Sequence, residues 1–397
     1  MVITYLDRVC ISVAGPRIQE ALNISPLAWG WVTGIFTLSY AAFEIPSGAL
    51  GDRVGPRRVL TRIVLWWSTF TSLTGLVTGY YPLLATRFFF GMGEAGAFPN
   101  ASVAVARWFP FRERGRALGI ALMASQAGGA IAPLLVVPIQ ARYGWRASFY
   151  VFGLLGVAWS AIWYWWFRDS PAEKPGVSES ELEETRGVFA RSHHGLPWAI
   201  ALRSANFWAT IGVAFCYVYT FYFFSSWFHT YLVKARGYSE EDLLLSSLPF
   251  IVGGCANFGG GLASHALVQR LGLKWGRRTI GLIGLGIAAL CTIAVMFTQQ
   301  WLGALILLSL VYGGICFQQT IMFAVCLDIG GPCAGAMVGS MNTAAQIGAF
   351  SSSLAFGYLV DRYGSYDVPF IPMAALLLIG CWLWTKVDPT QQLTAAC

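Results

Sequence analysis

Apolar runs separated by short polar loops fill almost the entire chain. Twelve of these runs are long enough, or nearly long enough, to cross the hydrocarbon core of a bilayer, which takes about 20 apolar residues in a helix. The predicted spans cover residues 1–22, 28–50, 59–79, 82–106, 115–139, 145–167, 207–232, 243–268, 279–297, 301–327, 335–360 and 368–386. The pattern predicts an all-α membrane protein with twelve transmembrane helices.

The composition narrows the class further. Of the 397 residues, 56% are hydrophobic and 11% are charged, and the mean hydropathy is +0.59, which excludes soluble globular and disordered proteins. The net charge of +7 would suggest nucleic acid in a soluble protein, but here most basic residues lie in membrane loops, so no nucleic-acid partner is expected. About three times as many Lys and Arg residues fall on one side of the spans as on the other. This bias predicts a multi-pass protein of the inner (plasma) membrane with both termini in the cytoplasm.

One long polar interval divides the chain. Residues 168–203 are predicted to form a cytoplasmic linker between an N-terminal six-helix bundle, residues 1–167, and a C-terminal six-helix bundle, residues 204–397. Within the linker, Ser-Glu-Ser-Glu at residues 178–181 is typical of a capping box that opens a short surface helix.

The two halves repeat one another at a shift of 220 residues without gaps. The shift places the arginine pair of residues 57–58 on residues 277–278, and Arg-Tyr-Gly of residues 142–144 on the same tripeptide at residues 362–364. Parallel six-helix repeats are typical of secondary transporters, whose binding sites lie at the repeat interface near the bilayer midplane. The repeat therefore predicts two pseudo-symmetric bundles.

Two charges stand inside the apolar fourth span. Arg87 and Glu94 are seven residues apart, close to two helical turns, so they lie on one helix face roughly 10 Å apart along the axis. An ionisable group at membrane depth costs at least ~2.5 kcal/mol, so both side chains should face an aqueous or protein-lined cavity. The alternative is a static ion pair between helices.

The loop after the second span combines glycines, an acid and arginines. Its candidate gating residues are Gly48, Asp52, Arg53, Gly55, Arg57 and Arg58. Glycines permit close backbone approach, and Asp52 can form ion pairs with the arginines that break when two halves of a transporter move. A positive-inside loop alone would explain the arginines but not the acid and the glycine spacing.

This loop resembles the signature loop of the major facilitator superfamily, and other motifs resemble its anion:cation symporter family. That family includes galactonate, glucarate and hexuronate permeases and the sialin and vesicular glutamate transporters. The motifs that carry the resemblance are residues 5–8 (YLDR), 40–46 (YAAFEIP), 87–100 (RFFFGMGEAGAFPN), 107–110 (RWFP), 143–146 (YGWR) and the aromatic run at 217–232. The resemblance covers essentially the whole chain and implies a proton-coupled importer of organic anions that works by alternating access. A monomer without a cofactor or a metal ion is expected.

The resemblance also implies roles for particular residues. Asp7 and Glu94 would be the proton-coupling carboxylates, and Arg8 and Arg87 would bind the substrate anion. The other predicted substrate-binding residues are Tyr5, Tyr40, Gln126 and, from the second half, Asn342. A sugar acid or a related small carboxylate is the expected substrate, because arginine pairs with carboxylate while tyrosine and amide groups bind hydroxyls.

Several alternatives stay open at this point. Adjacent residues such as Asp7 and Arg8 point about 100° apart on a helix, so one of them can instead make a structural contact. Glu44 is a candidate gate partner as well as a substrate contact, and His265 is a candidate proton relay. His229 is expected as a polar interface residue near the outer end of the seventh span. Because only six residues precede Asp7, the first span is expected either to be truncated or to have an earlier start.

Glycines inside the spans predict close helix packing. Residues 91–96 formally match the Gly-x-Gly-x-x-Gly pattern of dinucleotide loops, but they lie within a spanning helix, where small residues let helices approach. The same is expected at Gly115, Gly119, Gly335 and Gly339. The chain carries no nucleotide-binding, zinc-protease or serine-hydrolase motif, so an enzyme is not expected. An uncoupled facilitator or exchanger of organic anions is the main alternative function, and a membrane-embedded enzyme or sensor is the remote one.

Overall fold

The structure is a computed structural model that describes residues 1–176, 198–239 and 242–393. The predicted capping box at residues 178–181 lies outside these ranges. All the regular elements in the described ranges are helical. The α-helices are α1 (Val2–Val13), α2 (Gly15–Ala21), α3 (Pro26–Val54), α4 (Pro56–Thr74), α5 (Tyr80–Glu94), α6 (Ala97–Trp108), α7 (Phe111–Tyr143), α8 (Trp145–Trp166), α9 (Trp198–Ala201), α10 (Ala205–Ser226), α11 (Phe228–Arg236), α12 (Leu248–Phe297), α13 (Trp301–Gly330), α14 (Ala334–Tyr363) and α15 (Phe370–Trp384). Short 3-10 turns lie at Pro171–Glu173, Asp242–Ser247 and Gly331–Cys333.

Each of the twelve predicted spans lies on these helices, which confirms the all-helical fold class. Three spans are broken in the middle: α1 and α2 form the first, α5 and α6 the fourth, and α10 and α11 the seventh. The helix α12 contains the eighth and ninth spans, with an interruption at Gly272, whose φ is +76°. By length and hydropathy alone, five helical stretches of the described residues could each cross a membrane.

Glycine and proline set several of these boundaries. Gly55 has φ of +97° and is followed by Pro56 at the first position of α4, where a proline has no intrahelical hydrogen bond to lose. The two halves also end an equivalent helix in the same way: α7 stops at Gly144 (φ +79°) and α14 at Gly364 (φ +64°). The predicted repeat is therefore visible in local structure, because these two glycines are 220 residues apart.

The chain forms two compact units. The first consists of Met1–Cys10 and Ile35–Arg191, and the second of Ile11–Gly34 and Ser192–Cys397. The division between bundles at residues 1–167 and 204–397 stays a prediction, and the compact units differ from it in the placement of residues 11–34. These residues pack with the second half: the Trp29 indole donates to the Ser226 carbonyl at 3.2 Å, and a Cβ on Gly30 would lie 2.6 Å from the Ser353 carbonyl oxygen.

Small residues allow close helix packing inside each unit, although not at every predicted position. Gly91 packs against Phe36 and Ser39 on α3, and Gly96 packs against Ser47 on the same helix. At Gly119, Gly335 and Gly339, by contrast, an added Cβ would meet no described atom within 4 Å, so the expectation of close packing there is wrong. Glycine spacing alone does not tell which face of a helix meets another helix.

Candidate substrate and proton site

Two broken spans bring four charged side chains together in the first unit. Asp7 and Arg8 lie in the middle of α1, whereas Arg87 and Glu94 lie on α5. Glu94 is the last residue of α5, directly before the break that separates it from α6. We call Asp7, Arg8, Arg87 and Glu94 the charged cluster.

An ion pair between two helices is the centre of the cluster. The Arg8 Nε donates to Glu94 Oε1 at 2.5 Å, and the Glu94 side chain has no exposed surface while that of Arg8 is 22% exposed. The second carboxylate oxygen of Glu94 is buried and accepts no hydrogen bond from the described residues. Arg8 therefore satisfies only half of the Glu94 carboxylate, which leaves the other oxygen able to take a proton.

Aromatic rings surround the Arg8 guanidinium. Its Cζ lies 5.0 Å from the ring centroid of Tyr40, 5.2 Å from that of Phe36 and 5.6 Å from that of Tyr5. A cation over an aromatic face is attracted by the ring quadrupole, by about 0.5–2 kcal/mol depending on solvation. Tyr5 and Tyr40 thus lie beside a cation that is partly open to solvent, and their substrate-binding roles stay predictions.

Arg87 and Asp7 complete the cluster and are more deeply buried than Arg8. Arg87 is 3% exposed, and its Cζ lies 4.5 Å from the ring centroid of Phe90 and 5.1 Å from that of Phe36. Asp7 is 2% exposed, with the indole of Trp67 beside it and both Arg87 and Glu94 in electrostatic range. Neither oxygen of Asp7 has a fully formed hydrogen bond to a described residue. Two cations and two carboxylates give the cluster a formal charge of zero.

The other predicted binding residues lie on helices other than α1 and α5. Gln126 is buried on α7, near Gly128, where an added Cβ would touch the backbone of Val2 on α1. Asn342 is half-buried on α14 in the second unit. Glu44 on α3 is half-buried and is an electrostatic neighbour of Tyr40. Substrate-binding roles for these residues stay predictions.

A cavity of about 700 Å³ opens beside the cluster within the first unit. Its wall is mainly apolar and includes Trp67, which also borders Asp7, together with Trp108, Trp159 and Trp163. Lys174 is the one charged side chain in its lining among the described residues. Such a wall does not suit a hydroxylated acid, so the polar site is expected at the charged cluster itself.

The structure describes the predicted gating loop only in part. The side chain of Asp52 lies outside the described part of the chain, and Arg53 and Arg58 are exposed. Gly48 approaches Pro99, because an added Cβ would lie 3.2 Å from the Pro99 Cβ. Arg57 donates through Nη2 and Nε to the Tyr164 carbonyl, at 2.7 and 2.9 Å. Gating by these residues stays a prediction.

Asp169 is a partner of this loop that the sequence did not indicate. Its Oδ1 accepts from the Arg57 backbone N–H at 2.8 Å and lies 3.7 Å from Arg107 Nη1. An added Cβ on Gly55 would collide with the same carboxylate. The acid therefore holds the loop after α3 against the end of α8. A carboxylate that accepts from a backbone N–H leaves no pattern in the sequence, which is why it was missed.

His265, the candidate proton relay, is exposed, and its ring nitrogen Nε2 lies 3.0 Å from Gln269 Nε2. His229 is instead fully buried and lies between two serine hydroxyls. The expectation that His229 is a polar interface residue near the outer end of the seventh span stays a prediction.

Comparisons of this sequence with a family model and with individual proteins both point to membrane transporters. The sequence model of the Major Facilitator Superfamily matches residues 1–353. The "probable sulfoacetate transporter SauU" of Cupriavidus necator is 35% identical over 393 residues, which cover 98% of this chain and 91% of that protein. The hexuronate transporter of Bacillus subtilis is 28% identical (96% and 90% covered), and the D-galactonate transporter of Escherichia coli 29% (96% and 91%).

A solved structure has the same fold. A bacterial homologue of the human lysosomal transporter Spinster, in an inward-facing and occupied conformation, superposes with a TM-score of 0.80 at 19% identity, covering 97% of this chain and 94% of that one. The relatives are organic-anion transporters rather than enzymes. These findings confirm the family that the sequence motifs predict.

Proposed function

The chain belongs to the Major Facilitator Superfamily, and we propose that it is a proton-coupled symporter that imports a small organic anion by alternating access. The observation that carries this proposal is the Arg8–Glu94 ion pair, which joins two spans inside the charged cluster. Placing two charged side chains within membrane spans costs free energy, so such an ion pair is expected to have a function.

The charge balance of the cluster explains how an anion and a proton can be coupled. The substrate carboxylate competes with Glu94 for Arg8, because a guanidinium binds either carboxylate in the same geometry. Binding the anion alone would leave the cluster with a net charge of −1 in a low-dielectric site. A proton on Glu94 restores neutrality, so anion and proton bind together. In this mechanism Asp7 is a second protonation site, and Arg87 keeps both carboxylates in an electropositive field.

The surroundings of Arg8 support a small carboxylate or sugar acid as substrate. Arg8 is the member of the cluster with exposed surface, and the Tyr5 and Tyr40 rings stand beside it. Tyrosine hydroxyls suit the hydroxyl groups of a sugar acid, and Gln126 and Asn342 are proposed to supply amide contacts. The names of the relatives give sulfoacetate, hexuronate and galactonate as first candidates.

The loop of Gly48, Asp52, Arg53, Gly55, Arg57 and Arg58 is proposed as a gate that forms and breaks during the cycle. We further propose a monomer in the inner membrane with both termini in the cytoplasm. The bias of Lys and Arg toward one set of loops supports this orientation.

Uptake into proteoliposomes tests the proposal. Hexuronate, galactonate, glucarate and sulfoacetate would be offered under an inward proton gradient, with the membrane potential clamped by potassium and valinomycin. One acid should accumulate above its external concentration, and accumulation should stop when a protonophore removes the gradient. Uptake that persists unchanged without the gradient would establish an uncoupled facilitator or exchanger. If the protein transports none of these acids, the proposed substrate class is overturned.

A further inference from the structure

His229 lies between two parts of the second unit that are distant in sequence. Its Nδ1 lies 2.9 Å from Ser12 Oγ on α1, and its Nε2 lies 2.9 Å from Ser246 Oγ in the 3-10 turn at Asp242–Ser247. The imidazole has no exposed surface, and neither do the hydroxyls it contacts. The function proposed above uses none of these three residues.

The hydrogen bonds determine where the imidazole carries its proton. Ser246 donates its single hydroxyl proton to the Leu243 carbonyl at 2.6 Å, so it can only accept from His229. The proton of a neutral imidazole must therefore be on Nε2, and Nδ1 accepts from the Ser12 hydroxyl. Both ring nitrogens are satisfied when His229 is neutral and in this tautomer.

Further contacts join the same two regions. Gln19 Nε2 donates to Thr230 Oγ1 at 3.0 Å, and Lys234 Nζ donates to Gln19 Oε1 at 3.4 Å. The Tyr222 hydroxyl donates to the Thr33 carbonyl at 3.1 Å. Residues 11–34 are thus fastened to α10 and α11 by several polar contacts, of which the His229 contact is the one with a side chain that changes charge near neutral pH.

A charged imidazole would have no carboxylate to pair with among the described residues. The charged groups on the elements around it have other partners. Glu20 on α2 interacts with Arg17 and Lys234, Arg236 on α11 binds Asp367, Asp242 accepts from Ser239, and Asp7 and Arg8 on α1 belong to the charged cluster. Protonation would turn Nδ1 into a donor to the Ser12 hydroxyl oxygen, so the contact would reverse its direction, but the positive charge would stay buried with no carboxylate beside it among the described residues.

We infer that His229 is a protonation site separate from the charged cluster, which fastens residues 11–34 to α11 when neutral and releases them when charged. This inference rests on the proposed alternating access between the predicted bundles at residues 1–167 and 204–397. Residues 11–34 belong to the first of these bundles and α11 to the second, so their contacts would break once in every cycle. An acidic medium would then favour the released state, because water solvates a charged imidazole there, whereas the buried position offers it no carboxylate partner among the described residues. The proton on His229 would thus favour the release of residues 11–34 from α11 and would have no part in binding the substrate.

Thiol labelling of a buried position tests this inference without any transported substrate. Thr33 is 2% exposed on α3, so a Thr33→Cys protein should react with a maleimide only when residues 11–34 are released. Labelling at position 33 would be quantified by peptide mass spectrometry in detergent at pH 7.5 and 5.5. The rate would be divided by that of a Ser25→Cys protein, whose position is exposed, to remove the pH dependence of thiol chemistry.

Between pH 7.5 and 5.5 the normalised rate should rise up to about tenfold, as expected for an imidazole that titrates with an ordinary pKa of about 6.5 in the released state only. The rise should disappear in His229→Gln, and it should persist in His265→Gln, the matched change at an exposed histidine. An equal rise in His229→Gln, or no rise in the parent, would overturn the inference.

A second pair of variants keeps the test decisive if His229→Gln does not fold. Ser246→Ala removes the acceptor of the Nε2 proton, so it should raise labelling at pH 7.5, while His229→Asn should behave as His229→Gln does. Unchanged labelling in Ser246→Ala would contradict the inference. A normal labelling response in a protein that transports none of the acids would overturn the proposed function alone.

Discussion

The cores of the two units differ although their sequences are related by one shift. At the shift of 220 residues, the counterparts of Asp7, Arg8, Arg87 and Glu94 are Trp227, Phe228, Leu307 and Gly314. Each charge of the charged cluster therefore corresponds to an apolar or small residue in the second unit. The Trp227 ring stacks on Phe356 with the centroids 4.8 Å apart, and Trp227 and Phe228 are fully buried.

The counterpart of Glu94 shows what the uncharged positions do. Gly314 on α13 approaches Gly284 on α12 so closely that a Cβ on Gly314 would lie 2.5 Å from the Gly284 carbonyl oxygen. The second unit thus uses this position for close helix packing, whereas the first uses it for an ion pair. The proposed function therefore assigns the coupling chemistry to the first unit, whereas the second unit has apolar or small residues at the four equivalent positions.

The largest effect is expected when the charged cluster loses the positive charge of Arg8. Arg8→Gln should raise the Kd for the transported acid about 10- to 100-fold, because a charge-assisted hydrogen bond contributes about 1.5–3 kcal/mol. Calorimetric titration of the purified protein would measure the Kd. The matched control is Arg62→Gln, an exposed arginine on α4, which should leave the Kd unchanged. If Arg8→Gln and the parent bind the acid with the same Kd, Arg8 is not a substrate-binding residue.

A smaller effect is expected from adding one methyl group to the second unit. Gly314→Ala forces a Cβ against the Gly284 carbonyl and the Ala288 amide, 2.5 and 3.1 Å away, and overpacking of this kind costs about 1–3 kcal/mol. The melting temperature in detergent should fall by several degrees. Gly339→Ala on α14 is the matched control, because nothing lies within 4 Å of its added Cβ. If both variants melt at the same temperature, Gly314 is not a packing contact.

The smallest effect is expected at two acids that follow the last helix of each half. Asp388 is bonded by Lys274 Nζ at 2.6 Å and by the Thr390 hydroxyl at 2.6 Å, whereas Asp169 lies 3.7 Å from Arg107 and is 24% exposed. Asp388→Asn should therefore lower the melting temperature at pH 7 by a few degrees, and Asp169→Asn by less. Thermal melts of both variants would measure these changes. A larger fall in melting temperature for Asp169→Asn than for Asp388→Asn would contradict the prediction.

The pH dependence of the Asp388 contribution follows from its hydrogen bonds. Burial alone would raise the pKa of this carboxyl, but the bonds from Lys274 and Thr390 outweigh burial, so the pKa lies below its ordinary value. The stabilisation is fully present above the unfolded-state pKa of about 3.9 and is lost as the pH falls through the lower folded-state pKa. The difference between parent and Asp388→Asn should therefore shrink only in strongly acidic buffer.

The sequence predicts the helices and the charged residues of the site better than it predicts their partners. Long apolar runs predict spans without knowledge of neighbours, and a charge inside such a run is conspicuous. The breaks at Ala14, Ala95 and Trp227 were not predicted, because each lies inside a segment that the hydropathy pattern assigns to one span. Helix phase places Arg87 and Glu94 on one face, but it contains no information that Arg8 of another span binds Glu94.

Contacts with the backbone are the second kind of feature that the sequence did not reveal. Asp169 binds the Arg57 N–H, and the Trp29 indole donates to a carbonyl at Ser226. Every residue offers the same backbone groups, so such bonds depend on tertiary position alone. The Ser12–His229 contact joins residues 217 apart in sequence, and it too depends on how the spans assemble.

Transport by Glu94→Gln in proteoliposomes tests the central claim most directly. The amide keeps the size of the side chain but cannot bind and release a proton, so the variant should still exchange labelled acid for unlabelled acid and should no longer accumulate it under a proton gradient. The parent should do both. Accumulation by Glu94→Gln at the level of the parent would contradict the account, because the Arg8–Glu94 pair would then be structural.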